Sequence, residues 1–247
     1  KNQIAAPMLM TPIDLAEKSS SVRSTCGSRS VRMRHSTRIE TPWPISARST
    51  GWAKHINNAL VKRDISPNQI SVTSIVFALV GAIALNIDNG VAGSICCAIA
   101  IQLRLLCNLF DGMVAIEGGK QSPIGSLYNE FPDRIADSLL IVGLGYAIWQ
   151  PELGWFTALA AALTAYVRVF GGSIGLQQNF MGPLAKQHRM AVMTVGLVLN
   201  AVEFHLYASH YVLLLTLIII AIGSAATCIT RTLAISRQLK EAGHVDQ

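Results

Sequence analysis

The chain has 247 residues, of which 51% are hydrophobic and 14% charged, with a formal net charge of +6. A soluble domain carries about 25% charged residues, so this deficit excludes an ordinary water-soluble globule and indicates a lipid-facing surface. No interleaving of aromatic and basic residues of the nucleic-acid-binding kind accompanies the positive balance, which a membrane explains through anionic headgroups.

Residues 1–47 differ in kind from the rest. The run KSSSVRSTCGSRSVRMRHSTR is rich in Ser and Arg and lacks the apolar core of a secretory signal. It reads as a basic, disordered extension, with an Arg/Ser-rich transit peptide as the alternative. The domain plan is thus an extension over 1–47, a membrane domain over 48–236 and a cytoplasmic tail over 237–247.

In GWAKHINNALVKR, Trp52, Ile56 and Leu60 recur every four residues. They predict a short amphipathic helix lying at the membrane interface. In ISPN, Ser66 is placed to cap a helix and Pro67 to occupy its first position. Six stretches then approach the roughly 20 apolar residues of a membrane-crossing helix: about 69–88, 91–110, 134–150, 153–174, 189–207 and 209–229. The fold class is an all-α integral membrane protein, six transmembrane helices preceded by the interfacial one. The helix carrying the third span begins near Ser126, with Pro132 placed to kink its early turns. Glu203 and His205 blur the end of the fifth span.

Lys and Arg are missing from the connections near Asp88–Gly90, Gln150–Gly154 and Glu203–His210, whereas the alternate connections hold Lys120, Arg134, Lys186 and Arg189. The positive-inside rule places both termini in the cytoplasm, which requires an even number of spans. Of Cys26, Cys96, Cys97, Cys107 and Cys228, four lie in apolar spans without metal-ligand spacing and read as small buried side chains.

The stretch NLFDGMVAIEGGKQSPIGSLYNEFPDRIAD concentrates polar groups where apolar segments start and stop. On a helix Asn108 and Asp111 share one face, and Asn129, Asp133 and Asp137 share a face of the next helix. If the faces meet, three carboxylates and two amide oxygens converge at the membrane edge, where unpaired acids are unfavourable. A hard divalent cation, Mg²⁺ or Mn²⁺ in preference to Zn²⁺, suits oxygen-only ligands. Gly112 and Gly125 let a bulky ligand approach the backbone, and metal, anion and small residues together suggest a diphosphate substrate.

These residues resemble the signature of the CDP-alcohol phosphatidyltransferase family: Asp, two residues, Asp-Gly, two residues, Ala-Arg, eight residues, Gly, three residues, Asp, three residues, Asp. Asp111, Gly112, Ala115, Gly125 and Asp133 match it with every spacing intact, and the likeness runs from about Trp52 to the last span. The resemblance implies transfer of a phosphatidyl group from CDP-diacylglycerol to an alcohol with release of CMP, in a multi-pass protein of a bacterial inner membrane that acts as a homodimer. It implies Asp111 as principal metal and nucleotide ligand, supported by Asn108 and Asn129, with Gly112, Ala115, Gly125 and Lys120 beside the nucleotide. Asp133 takes the position of a metal ligand and of the base for the attacking hydroxyl, with Asp137 as second candidate base. Arg168, Lys186 and Arg189 are candidates to bind a phosphorylated acceptor such as glycerol phosphate or inositol phosphate.

Three positions depart from the pattern. Asn108 and Asn129 replace aspartates, which weakens binding of a second metal, and Ile116 replaces the arginine, for which Lys120, Arg104 and Arg134 are candidate substitutes. Two other classes stay open: a family member that binds lipid or nucleotide without catalysis, and a membrane transporter. Against the transporter, the acidic groups gather at one face of the membrane.

Overall fold

A computed structural model describes residues 50–176 and 182–245. Residues 1–47, and the boundary placed after them, lie outside the described residues. The described chain is entirely helical: α1 Gly51–Lys62, α2 Pro67–Ile87, α3 Val91–Glu117, α4 Gly125–Ala147, α5 Pro151–Ser173, α6 Lys186–Tyr207 and α7 Tyr211–Val245. Each expected span coincides with one long helix to within a few residues, the third overrunning Ala147 and the sixth starting before Tyr211. α3 and α7 continue beyond their apolar stretches, and α7 runs through the boundary drawn at 237. Five of the six, α2, α3, α5, α6 and α7, are long and apolar enough to cross a membrane. The exception is α4, whose first half carries Glu130, Asp133, Arg134 and Asp137. It is continuous through Pro132.

Local chemistry sets the helix ends. Ser66 and Gln69 form a reciprocal capping box at the start of α2, the Ser66 hydroxyl accepting from the Gln69 N–H at 3.2 Å and the Gln69 side chain accepting from the Ser66 N–H at 3.0 Å. Asp88 accepts from the Gly90 and Gly93 N–H groups at 2.8 and 3.0 Å at the start of α3. Glu203 has a similar task, accepting from the Tyr211 and Val212 N–H groups at 2.9 and 2.8 Å. A carboxylate there offsets the positive end of α7, which explains an acid late in the fifth span.

The six long helices close into a ring. α2 packs on α3 and α4, α3 on α6, α6 on α7, α7 on α5, and α5 on α4. The ring encloses a continuous apolar core that includes Ile101, Leu140, Ile141, Leu144, Met193, Leu197 and Leu213. Small residues allow the close approaches: a Cβ on Gly145 would lie 2.7 Å from the Gly154 Cα, and one on Gly143 would lie 2.8 Å from the Ala82 Cβ. Gly143 and Gly145 therefore pack helices within one chain. At the end without basic residues, buried Asn200 donates to the Asn89 carbonyl at 3.0 Å and to Ser94 Oγ at 2.8 Å, joining α6 to the α2–α3 turn.

At the basic end, α1 lies against α3. Its buried face is Ala53 and Asn57, while Trp52 and Ile56 stay exposed, as an interfacial helix requires. Asn57 Nδ2 donates to Glu117 Oε2 at 2.9 Å, and the Trp52 ring meets Phe110 edge-on with centroids 6.2 Å apart.

Candidate active site

The polar residues singled out in the sequence gather at the basic end, where α3, α4 and α6 face one another. Asp111, on α3, is buried, and its Oδ2 accepts a hydrogen bond from the buried Ser71 hydroxyl of α2 at 2.7 Å. One turn earlier, Asn108 Nδ2 donates to Asp133 Oδ1 at 2.9 Å, so the two expected faces do meet. Asn129 is exposed, one turn before Asp133 on α4.

Three cations form the close pairs with the buried acids of α4, and Arg134 lies 4.0 Å from Asp133 Oδ2. The guanidinium of Arg104, fully buried on α3, lies 2.6 Å from Asp137 Oδ1 and 3.4 Å from Asp133 Oδ1. It also donates to the Asp133 carbonyl at 3.3 Å and to Met190 Sδ at 3.0 Å. Arg189, fully buried on α6, donates to Asp137 Oδ2 at 2.9 Å, and the Lys186 ammonium contacts Asp133 Oδ2. Charges removed from water persist only when paired in this way. A second group lies beside the first: Glu130 accepts from Arg168 at 2.7 Å on both oxygens and pairs with Arg134 at 3.4 Å. Arg231, buried on α7, donates to the Thr164 carbonyl at 2.6 Å.

The remaining positions lie at the rim. A Cβ on Gly125 would meet nothing within 4 Å, so the backbone there borders open space. Gly112 and Ala115 are half-buried, and Ile116 is exposed. Lys120 pairs with Asp64 at 2.5 Å, and its hydrogen bond holds that exposed carboxyl below the usual carboxylate range.

Sequence reasoning missed Ser71, Glu130 and the neutralising role of Arg104. A serine early in an apolar span has no distinguishing mark. Arg104 does carry a signal, since an arginine within IQLRLLC requires a carboxylate partner in lipid.

A family model described as CDP-alcohol phosphatidyltransferase matches residues 64–238. The chain belongs to this family. Among curated relatives of the family, it is 25% identical over 193 residues to the phosphatidylinositol phosphate synthase of Streptomyces avermitilis, covering 74% of this chain and 77% of that protein. It is 22% identical over 157 residues to the archaetidylinositol phosphate synthase of Pyrococcus horikoshii, covering 62% and 80%. The crystal structure of the Mycobacterium tuberculosis phosphatidylinositol phosphate synthase with CDP-DAG bound superposes with a TM-score of 0.63 at 18% identity, covering 73% of this chain and 91% of that one. The same enzyme has been solved with manganese and citrate. At this identity the superposition speaks for the fold alone. With its apolar helices, the family assignment makes the chain an integral, multi-pass membrane protein.

The donor chemistry at Asp111 and Asn108 fits one hard divalent cation. Mg²⁺ is commonly held by one or two carboxylates, with substrate phosphates and water completing its shell. Asp133 and Asp137 fit a metal less well, because protein cations contact both oxygens of each. Among the described residues, no three His, Cys, Asp or Glu side chains come together in a metal-holding group.

Proposed function

We propose that the chain transfers a phosphatidyl group from CDP-diacylglycerol to a phosphorylated alcohol, inositol phosphate foremost, and releases CMP. The observation that carries this reading is the Asn108–Asp133 hydrogen bond, which joins the two halves of the family signature beside buried Asp111. The names of the curated relatives support an inositol phosphate acceptor. So does the abundance of positive charge, with Arg104, Arg134, Arg168, Lys186, Arg189 and Arg231 set against Asp111, Glu130, Asp133 and Asp137 at this end. We assign this end and both termini to the cytoplasm, on the distribution of Lys and Arg.

In this reading Asp111 and Asn108 would hold a divalent ion, Mg²⁺ or Mn²⁺, which would supply positive charge to the diphosphate and to the departing CMP. Asn129 adds an oxygen at the rim, and Gly112, Ala115 and Gly125 leave the nucleotide room. Asp133 receives the proton of the acceptor hydroxyl as its oxygen forms the new bond to phosphorus and the bond to CMP breaks. To do so, it gives up the Lys186 ammonium, whose new partner is the acceptor's own phosphate. Partly exposed Arg134 and Arg168 border the same anion, while fully buried Arg189 and Asp137 position the others.

An assay of CMP release from CDP-diacylglycerol, with Mg²⁺ or Mn²⁺ and a panel of alcohols, tests the proposal. Inositol phosphate is expected to support release, and Asp111→Ala and Asp133→Ala to lower it by at least about 100-fold, the low end for loss of such a group. If no acceptor supports release, or if both variants match the parent, the enzymatic reading is wrong. Nucleotide-lipid binding without release would then identify a non-catalytic member.

A further inference from the structure

The same end of the molecule contains fixed positive charges where the family pattern would have four carboxylates to neutralise. Two of the four positions are amides, Asn108 and Asn129. The acids that remain on α4, Asp133 and its neighbour Asp137, are contacted on every carboxylate oxygen by Arg104, Lys186 or Arg189. Asp111 differs from them. It lies on α3, and its neutral partner Ser71 leaves its charge in place.

We infer that Arg104 and Lys186 stand in for a second divalent cation, so that the site takes a single metal ion at Asp111 and Asn108. The inference rests on the proposed function only in taking a divalent ion as the ligand.

Asp133 and Asp137 are closely paired with Arg104, Lys186 and Arg189, and Arg134 lies 4.0 Å from Asp133, so the acids of α4 are compensated before any metal arrives. One dication at Asp111 adds to the positive charge that a diphosphate meets. A second would have to displace partly exposed Lys186 from Asp133, or Arg104 or Arg189 from Asp133 or Asp137, and a displaced guanidinium would be left buried and unpaired, which is unfavourable in a low-dielectric setting. Arg104 is held against displacement by four partners on two helices: both carboxylates, the Asp133 carbonyl and Met190. Asp137 is thereby a positioning residue, orienting Arg104 from α3 and Arg189 from α6, and makes no direct contact with metal.

Counting Mn²⁺ bound to the detergent-purified full chain, by the loss of the free-ion paramagnetic resonance signal, tests this. The parent is expected to bind one Mn²⁺. Asp137→Asn keeps it, Asp111→Asn loses it, and an Arg104→Gln/Lys186→Gln double variant gains a second. A parent that binds two ions, or an Asp137→Asn variant that loses one, overturns the inference. So does a double variant that elutes as a folded species and still binds one. If the double variant does not fold, the parent and Asp137→Asn counts decide alone. The outcomes also separate from the proposed function: two ions with CMP release overturn only this inference, whereas no Mn²⁺ and no release overturn both.

Discussion

Asp137 shows what burial does to a charged side chain. Its side chain is 3% exposed and lies between two fully buried guanidinium groups, so it has no route to water as a counter-charge. Removing one member of such a group costs about 3–5 kcal/mol, because the cations left behind are buried and unpaired. Asp137→Ala should therefore lower the thermal midpoint of the purified protein markedly. Asp64→Ala should leave it nearly unchanged, since Asp64 and Lys120 form an exposed pair and surface changes fall within about 0.5 kcal/mol. The contrast is measured by parallel melting curves in one detergent. Both aspartates were visible as acids in the sequence, but their partners were not. Nothing in the spacing of Lys186 or Arg189 reveals that they face inward toward Asp133 and Asp137, because the packing of α6 against α3 and α7 sets that register.

At the level of elements, local rules carried far. The capping box at Ser66 and Gln69, and Pro67 as first helical residue, are short-range chemistry that a sequence displays openly. The long apolar stretches likewise marked where the helices are. Their ends were less legible, since a helix continues past its apolar stretch when the residues beyond pack or pair, as Glu117 does with Asn57. α4 is the clearest case: its polar first half makes it the least apolar of the long helices, yet it forms because that half faces cations inside the ring. Gly143 and Gly145 are small enough for close helix packing, but nothing in the sequence shows which surface they meet. With Gly145 set against Gly154, Gly145→Val should force α4 and α5 apart, at about 1–3 kcal/mol for an overpacked contact. Thermal unfolding in detergent reads that directly, and an unchanged midpoint would place the contact elsewhere.

At the scale of the whole molecule, closing the ring in the order α2, α3, α6, α7, α5, α4 was beyond sequence reasoning. Helix order around a bundle is decided by long-range packing, and apolar periodicity reports only that a face is buried. The closure has a functional side. An apolar layer that includes Ile101, Leu140, Leu144, Met193 and Leu197 fills the interior between the charged end and the Asn200 network. The charged cluster is thus sealed from the other end of the ring by apolar packing, an arrangement that suits chemistry at one face of the membrane and opposes a transport route across it. The family assignment agrees with that reading.

The edge-on contact of Trp52 with Phe110 has an optical consequence. Phe110 directly precedes Asp111, so the indole on α1 is one residue removed from the proposed metal ligand, while Trp149 and Trp155 lie at the other end of the ring. Among the described residues, one fluorophore thus lies beside the charged cluster and two lie far from it; the fourth tryptophan, Trp43, lies outside the described residues. In a Trp43→Phe background, titration with Mn²⁺ and CDP-diacylglycerol should change the Trp52 emission, and the change should vanish when Trp52→Phe is added, leaving the constant signal of Trp149 and Trp155. Filling of the site could then be followed in real time and without a label.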